Sequence, residues 1–181
     1  MNKKDTVVFD LDGTLLDTLE DLKNSVNYAM TQCGYPEHTL DEVRRYVGNG
    51  ILLLMQRAIP GGKDDPNFDK AFTLFKEHYG KHCNDTTKPY AGIMELLRTL
   101  KENNIKIAIV SNKADFAVKE LNAIYFKDLI PVAIGEKESE GIRKKPAPDT
   151  VIEALKQLGS TAENSVYIGD SDVDILSLIH I

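Results

Sequence analysis

The chain has 181 residues, 42% of them hydrophobic and 28% charged, and a formal net charge of -6. This composition is typical of one globular domain, or of a small domain that carries an insertion, and it argues against disordered and fibrous proteins. The acidic balance disfavours general affinity for nucleic acid or an anionic membrane surface, and no apolar run approaches the roughly 20 residues that span a bilayer.

The predicted elements change character along the chain. A short apolar run at 6–9 predicts a buried strand, and residues 18–85 then carry only helical patterns, with apolar residues three or four apart. After that, helices and strands alternate: helix 91–102, strand 105–110, helix 114–124, strand 132–134, helix 149–158 with Gly159 as its stop, and strand 165–168.

This alternation predicts an α/β fold with a doubly wound parallel sheet. The α/β core is expected to comprise 1–17 and 86–175, and the helical block 18–85 is expected to be an inserted cap domain. In such sheets, ligands gather at the carboxyl ends of the strands.

Polar side chains follow several of the predicted strands where each strand ends. Carboxylates crowded at one sheet edge would repel each other without a cation, so the pattern predicts a hard, oxygen-seeking ion, Mg²⁺. A hydroxyl, an amide and an ammonium group nearby would suit a phosphoryl group. The residues concerned are Asp10, Asp12, Ser111, Asn112, Lys145, Asp170 and Asp174.

Four ordered motifs resemble those of the haloacid dehalogenase superfamily, and most of all those of its phosphoglycolate phosphatases. The motifs are Asp10-Leu11-Asp12-Gly13-Thr14, Ser111-Asn112-Lys113, Lys145-Pro146-Ala147-Pro148-Asp149 and Gly169-Asp170-Ser171-Asp172-Val173-Asp174. The resemblance implies a Rossmann-like core and a Mg²⁺-dependent phosphatase that hydrolyses a small phosphomonoester, similar to 2-phosphoglycolate, through an aspartyl-phosphate.

The resemblance also implies roles for the residues at the predicted edge. Asp10 is expected to be the nucleophile, and Asp12 the general acid and then the general base. Asp10, Asp170 and Asp174 are expected to bind the metal, with Asp12 contributing its backbone carbonyl.

The substrate's phosphoryl group is expected to meet a second set of residues. Ser111 and the backbone of Asn112 are expected to hold its oxygens at a helix N-terminus, and Lys145 to neutralise charge on both Asp10 and the phosphate. In the helical block, Gly48, Asn49 and Gly50 resemble a segment that contacts the organic end of the substrate, although an ordinary loop is an equally good interpretation of so short a pattern.

Alternative functions stay open at this point. Asp12 disfavours dehalogenase chemistry, because a halide leaving group needs no proton, but a pyrophosphatase, another small-phosphoester phosphatase or a sugar phosphomutase of the same superfamily fits the motifs. Outside the enzymes, a catalytically silent binding module or an inactive truncated fragment is the alternative.

The end of the chain carries an expectation of its own. Relatives continue after the last acidic motif, so the final βα unit is predicted to be missing and residues 176–181 to be a non-native tail. We further expect a cytoplasmic location, since the charged opening has no signal-peptide pattern, and reduced thiols at Cys33 and Cys83. The expected partner is a small phosphorylated metabolite, with neither nucleic acid nor membrane; the sequence predicts no oligomeric state.

Overall fold

The computed structural model describes residues 4–178 and divides the chain into two compact units. The first unit runs to Leu16 and resumes at Pro89, and the second is Asp17–Lys88. Short strands β2 (Leu16–Asp17) and β3 (Lys88–Pro89) form a separate two-stranded sheet.

A four-stranded parallel sheet forms the centre of the first unit, in the order β5-β4-β1-β6. Parallel neighbours require crossover connections, and helices supply them here. The predicted doubly wound α/β sheet is therefore confirmed. The strands are β1 (Thr6–Phe9), β4 (Lys106–Ala114), β5 (Val132–Glu136) and β6 (Ser165–Ile168).

The helices of the first unit pack hydrophobic side chains on both faces of this sheet. Along β4, Ile107 and Ile109 belong to one apolar cluster, whereas Ala108 and Val110 belong to another, because successive strand side chains point to opposite faces. A sheet covered on both faces leaves its carboxyl edge as the place where polar groups meet. The helices are α5 (Ile93–Glu102), α6 (Asp115–Tyr125), α7 (Asp149–Leu158) and α8 (Asp172–Leu178).

The boundaries of the predicted core helices and strands agree with the structure to within about two residues, except at the end of the second strand. The strand at 6–9 and the helix at 149–158 are confirmed, and Gly159 ends that helix in a left-handed conformation with φ of 60°. Strand β4, however, extends to Ala114, four residues past its predicted end at 110, with an irregular register after Val110. Helix α6 follows directly at Asp115.

The second unit consists of helices around its own apolar core. Val26, Met30, Met55 and Phe75 are fully buried in that core. Helix α2 begins with a capping box in which Thr39 and Glu42 satisfy each other's backbone amides. The helices are α1 (Leu19–Gln32), α2 (Leu40–Tyr46), α3 (Ile51–Ala58) and α4 (Phe68–His82).

The predicted non-native tail lies partly outside the described residues. Helix α8 includes 176–178, whereas 179–181 are not described. Within the part of the chain that is described, none of the helices combines the length and the apolar character that crossing a bilayer demands.

Candidate active site

Asp10 lies where β1 ends, in the middle of the four-stranded sheet. Its amide donates a hydrogen bond to the carbonyl of Ile168 at 2.9 Å, which extends the β1–β6 pairing past the strand. The side chain is buried, and this burial raises the pKa of Asp10 to about 6, against the opposing pull of the Lys145 ammonium group. Asp10 is therefore a carboxylate that water reaches poorly and that a cation must stabilise.

Lys145 brings its buried ammonium group into the middle of this edge. The side chain is only 1% exposed, and Nζ lies 2.9 Å from Oδ1 of Asp10 and 2.6 Å from Oδ1 of Asp174. It also donates to the hydroxyl of Tyr167 at 3.0 Å and to the carbonyl of Val110 at 3.1 Å. One ammonium group thus connects β4, β6, the residue after β1 and the start of α8.

Asp174 is held by the first turn of α8 as well as by Lys145. Its Oδ2 accepts from the amide of Ser171 at 3.0 Å and from the Ser171 hydroxyl at 2.7 Å. Burial alone would raise the pKa of Asp174, but the Lys145 ammonium group and the Ser171 donors outweigh it and lower this pKa. Asp174 is therefore a carboxylate kept in its ionised form.

Tyr167 is a member of the site that the sequence-based prediction missed. Its hydroxyl lies 2.9 Å from Oδ1 of Asp174 and 3.2 Å from the carbonyl of Val110. Burial, followed by the nearby charges of Asp10 and Asp174, raises its pKa, so the phenol stays neutral and acts as a donor. The one available signal was a tyrosine in a strand that is otherwise aliphatic beyond its first residue.

Three carboxylates converge at this edge in a way that fits a metal ion. Asp10, Asp170 and Asp174 each offer an oxygen, and these oxygens lie within 4.8 Å of one another. Two oxygens on one Mg²⁺, each at about 2.1 Å, lie at most about 4.2 Å apart, so small side-chain rotations would let the three share an ion. The buried Oδ1 of Asp10 meets the Lys145 ammonium group but has no aligned hydrogen-bond donor among the described residues. An oxygen-lined group with an incompletely satisfied buried carboxylate is a suitable donor set for a hard divalent cation.

Asp170 is the exposed member of this trio, and Gly13 makes room for it. Burial and the nearby charge of Asp174 raise the pKa of Asp170, although Thr14 donates to its Oδ1 at 3.3 Å. Gly13 has φ of 84°, and a Cβ there would lie 2.2 Å from Oδ2 of Asp170. Only glycine satisfies both the backbone conformation and the close approach.

Asp12 belongs to a different contact, with Lys113. Oδ1 of Asp12 accepts from Nζ of Lys113 at 2.8 Å, and the side chains are 16% and 2% exposed respectively. The carboxylate of Asp12 is not among the three that converge. Lys113 belongs to the Ser111-Asn112-Lys113 motif, but the sequence analysis assigns no role to it. The ion pair with Asp12 is therefore visible only in the structure.

Ser111 and Asn112 lie at the same edge, in the C-terminal half of β4 and shortly before α6. Both are buried. The Ser111 hydroxyl accepts from the amide of Lys113 at 3.3 Å, and the Asn112 side chain donates to the carbonyl of Lys145 at 2.9 Å. Helix α6 begins at Asp115, one residue later than predicted, because pairing between β4 and β5 resumes at Ala114 and Glu136.

The glycine pair of the second unit forms the turn between α2 and α3. Gly48 and Gly50 have φ of 113° and 88°, and between them Oδ1 of Asn49 accepts from Arg57 at 2.8 Å. The other guanidinium nitrogen of Arg57 donates to the carbonyl of Tyr46 at 2.8 Å. The turn is thus ordered by Arg57 within its own unit.

Comparison with known proteins gives several similar sequences of one kind. A phosphoglycolate phosphatase of Pseudomonas putida is 32% identical over 175 residues, which are 93% of this chain and 63% of that protein. A phosphoglycolate phosphatase of Aquifex aeolicus is 33% identical over 173 residues, 93% of this chain and 77% of that protein. The chain therefore spans just under two thirds of the first relative and about three quarters of the second.

A solved structure and a family model agree with these sequences. The crystal structure of a Lactobacillus delbrueckii subsp. bulgaricus protein, described provisionally as a phosphoglycolate phosphatase, matches with a TM-score of 0.92 and 34% identity, covering 98% of this chain and 83% of that chain. The family model described as haloacid dehalogenase-like hydrolase matches residues 7–178, which include every polar residue placed at the sheet edge. Strand ends that gather buried carboxylates and a lysine, and a match over nearly the whole length, have one common explanation: the chain belongs to the haloacid dehalogenase-like hydrolase family.

Proposed function

We propose that this protein is a Mg²⁺-dependent phosphatase that hydrolyses small phosphomonoesters, with 2-phosphoglycolate as the leading substrate. The observation that carries the proposal is the buried carboxylate of Asp10, paired with Lys145 and grouped with Asp170 and Asp174. The names of the similar proteins from Pseudomonas putida and Aquifex aeolicus support the choice of substrate.

Asp10 is the nucleophile in this proposal. One of its oxygens forms a bond to phosphorus while the bond between phosphorus and the leaving oxygen breaks, which gives an aspartyl-phosphate and an alcohol. Lys145 stabilises the charge on Asp10 and on the incoming phosphoryl oxygens, since its ammonium group already lies 2.9 Å from Asp10.

Asp12 handles the proton in both halves of the reaction. It donates a proton to the leaving oxygen, and it then takes a proton from the water that attacks the aspartyl-phosphate, which releases inorganic phosphate and restores Asp10. Ser111 and the backbone of Asn112 position phosphoryl oxygens from the C-terminal half of β4.

Asp10, Asp170 and Asp174 would hold the metal, with the backbone carbonyl of Asp12 as a further ligand. A bound Mg²⁺ supplies charge neutralisation for a phosphoryl group. In the same proposal, 1–17 and 86–175 form the catalytic core, 18–85 acts as the cap, and Gly48, Asn49 and Gly50 contact the organic end of the substrate.

The test is phosphate release from a panel of small phosphoesters, in Mg²⁺ and after chelation, with three proteins. Wild type should release phosphate only with the metal. Asp10→Asn should be at least about 10³-fold slower, as expected when a nucleophile is removed. The matched control is Asp128→Asn, which changes the same functional group at an exposed position of the same unit and should match wild type.

The outcomes separate the alternatives. Preferential release from pyrophosphate would favour a pyrophosphatase, and phosphate retained on an isomerised sugar would favour a phosphomutase. Equal release by wild type and Asp10→Asn would contradict the proposed function, and so would binding of phosphoesters without any turnover.

A further inference from the structure

We infer that Lys113 is a positioning residue for Asp12: it holds the carboxyl group of Asp12 in the direction from which the proton is exchanged with the reacting oxygens. The inference rests on the proposed phosphatase function and adds to it a residue that neither the motif roles nor the acidic trio require. The geometry that carries it is the contact of 2.8 Å between Nζ of Lys113 and Oδ1 of Asp12.

Lys113 is buried to a degree that is unusual for a lysine. Its side chain is 2% exposed, and it reaches Asp12 from β4, the strand next to β1 in the sheet. Lysine is almost never fully buried unless it is paired. A buried ammonium group in this position therefore needs an acceptor such as the carboxylate of Asp12. Lys119 differs, because its side chain is 58% exposed beside Asp115 and water can solvate it.

Stability alone does not explain this pair, in which Lys113 is buried and Asp12 is partly buried. Burying two charges costs desolvation, and apolar residues of similar volume in place of a buried ion pair often give equal or greater stability. The pair is better explained by geometry, because a carboxyl group must be held closely in place for efficient proton transfer.

The same sheet edge carries a second buried lysine, and the two lysines contact different carboxylates. Lys145 contacts Asp10 and Asp174, whereas Lys113 contacts Asp12. The proposed nucleophile and the proposed acid and base thus have separate buried lysines. A hydrogen bond from an ammonium group can orient a carboxyl oxygen whether or not the other oxygen carries a proton.

The experiment is a double-mutant cycle on kcat/KM with the best substrate of the panel. Lys113→Met removes the donor and keeps the length of the side chain, and Asp12→Asn removes the proton-transfer group. If Lys113 acts through Asp12, Lys113→Met should lower kcat/KM about 10- to 100-fold in wild type, chiefly through kcat, and less than about threefold in the Asp12→Asn background.

A second measurement tests the inference if Asp12→Asn has no measurable turnover and the cycle cannot be completed. The kcat/KM of a phosphatase reports the steps up to release of the leaving group, so a positioning effect on the acid should depend on how basic that group is. Lys113→Met should lose more activity toward phenyl phosphate than toward 4-nitrophenyl phosphate, whose leaving group needs less protonation. Lys113→Arg, which keeps a charged donor, should lose less than Lys113→Met.

Thermal melting and Mg²⁺ affinity of each variant, with Lys119→Met as the control on the same unit, show whether the fold and the metal site persist. If Lys113→Met does not fold, the same comparisons are made with Lys113→Gln, which removes the ammonium group and keeps a polar side chain. Additive losses, or equal losses toward the two aryl phosphates, in a folded variant would overturn the inference, as would an effect confined to KM. If wild type released no phosphate from any substrate, the proposed function itself would fail; the inference alone fails when wild type is active and the losses are additive.

Discussion

Lys145 and Asp174 form a buried ion pair, with 2.6 Å between Nζ and Oδ1. The pair connects the loop before α7 to the first turn of α8, which are 29 residues apart in sequence. The same ammonium group also contacts Asp10. The Lys145 side chain therefore both fixes the position of Asp174 and stabilises the charge of the proposed nucleophile.

Replacement of Lys145 by methionine should therefore destabilise the protein as well as inactivate it. Two buried carboxylates would lose their cation, and breaking such a pair typically costs about 3 to 5 kcal/mol of unfolding free energy. Urea unfolding at pH 7.5 measures the loss. The neighbouring Lys144→Met is the control: Lys144 contacts the half-exposed Glu138 at 3.0 Å, and its loss should cost less than about 1 kcal/mol. Equal losses at the two positions would contradict this account of Lys145.

Asp10 should make the metal-free protein less stable as the pH rises. Burial raises the pKa of Asp10 to about 6 in the folded protein, above the ordinary aspartate value of about 3.9. The stability that its protonated form provides is therefore present below about pH 4 and is lost as the pH rises through about 6. Asp10→Asn does not ionise. In chelator, the stability of this variant relative to wild type should therefore increase by about 1 to 3 kcal/mol as the pH rises from 4 to 7.

Unfolding of wild type and Asp10→Asn at a series of pH values between 4 and 8 tests this expectation. Asp128→Asn, at an exposed position, should track wild type throughout. A difference between Asp10→Asn and wild type that stays constant with pH would show that ionisation of Asp10 is not its cause.

Gly13→Ala should weaken metal binding by displacing Asp170. The added Cβ would lie 2.2 Å from Oδ2 of Asp170, so this carboxylate must move away from Asp10 and Asp174. Isothermal titration with Mg²⁺ should show an affinity lowered about 10-fold or more, the scale of effects seen when groups around a metal site are disturbed.

Gly141→Ala separates the displacement from backbone strain. Gly141 has φ of 80°, close to the 84° of Gly13, but a Cβ there meets nothing within 4 Å. Both substitutions should cost on the order of 1 kcal/mol in strain, while only Gly13→Ala should change the Mg²⁺ affinity. Equal affinity in the two variants would remove the role assigned to the close approach of Gly13 and Asp170.

The sequence predicts the residues of the candidate site better than it predicts their contacts. Asp10 and Asp174 could be placed at one edge because the carboxyl ends of parallel strands converge, and their separate strands are visible in the apolar pattern. The pairing of Asp12 with Lys113 could not be predicted in this way. It depends on how β4 continues beyond Val110, where the register with β5 becomes irregular.

The extension of β4 past its predicted end at 110 has a similar cause. Residues near 111 have no strong strand or helix signal, and the amide of Gly135 donates to Oδ1 of Asp115 at 2.9 Å, a contact between residues 20 apart in sequence. Such a contact between the start of α6 and β5 is a tertiary interaction that local propensity does not contain. By contrast, α7 was predicted in full, because its start and its stop at Gly159 are local signals.

Asp21 should be the main acid-sensitive group of the second unit. Its buried carboxylate accepts hydrogen bonds from the amides and hydroxyls of Thr86 and Thr87, at 2.7 to 3.1 Å. Burial alone would raise the pKa of Asp21, but these donors outweigh it and lower this pKa in the folded protein. Asp21→Asn, which loses the charge and one acceptor, should cost about 2 to 4 kcal/mol at pH 7.

The pH dependence of that loss identifies the carboxylate as its source. Because the folded pKa lies below the unfolded value, the stability that Asp21 provides is present above about pH 4 and is lost as the pH falls through the folded pKa. The gap between wild type and Asp21→Asn in urea unfolding should therefore narrow below pH 4. Glu20→Gln, next in the chain and paired with Lys23 near the surface, should cost less than about 1 kcal/mol at any pH. A gap that stays constant from pH 5 down to pH 3 would mean that packing around residue 21, and not its charge, holds the end of the helical unit together.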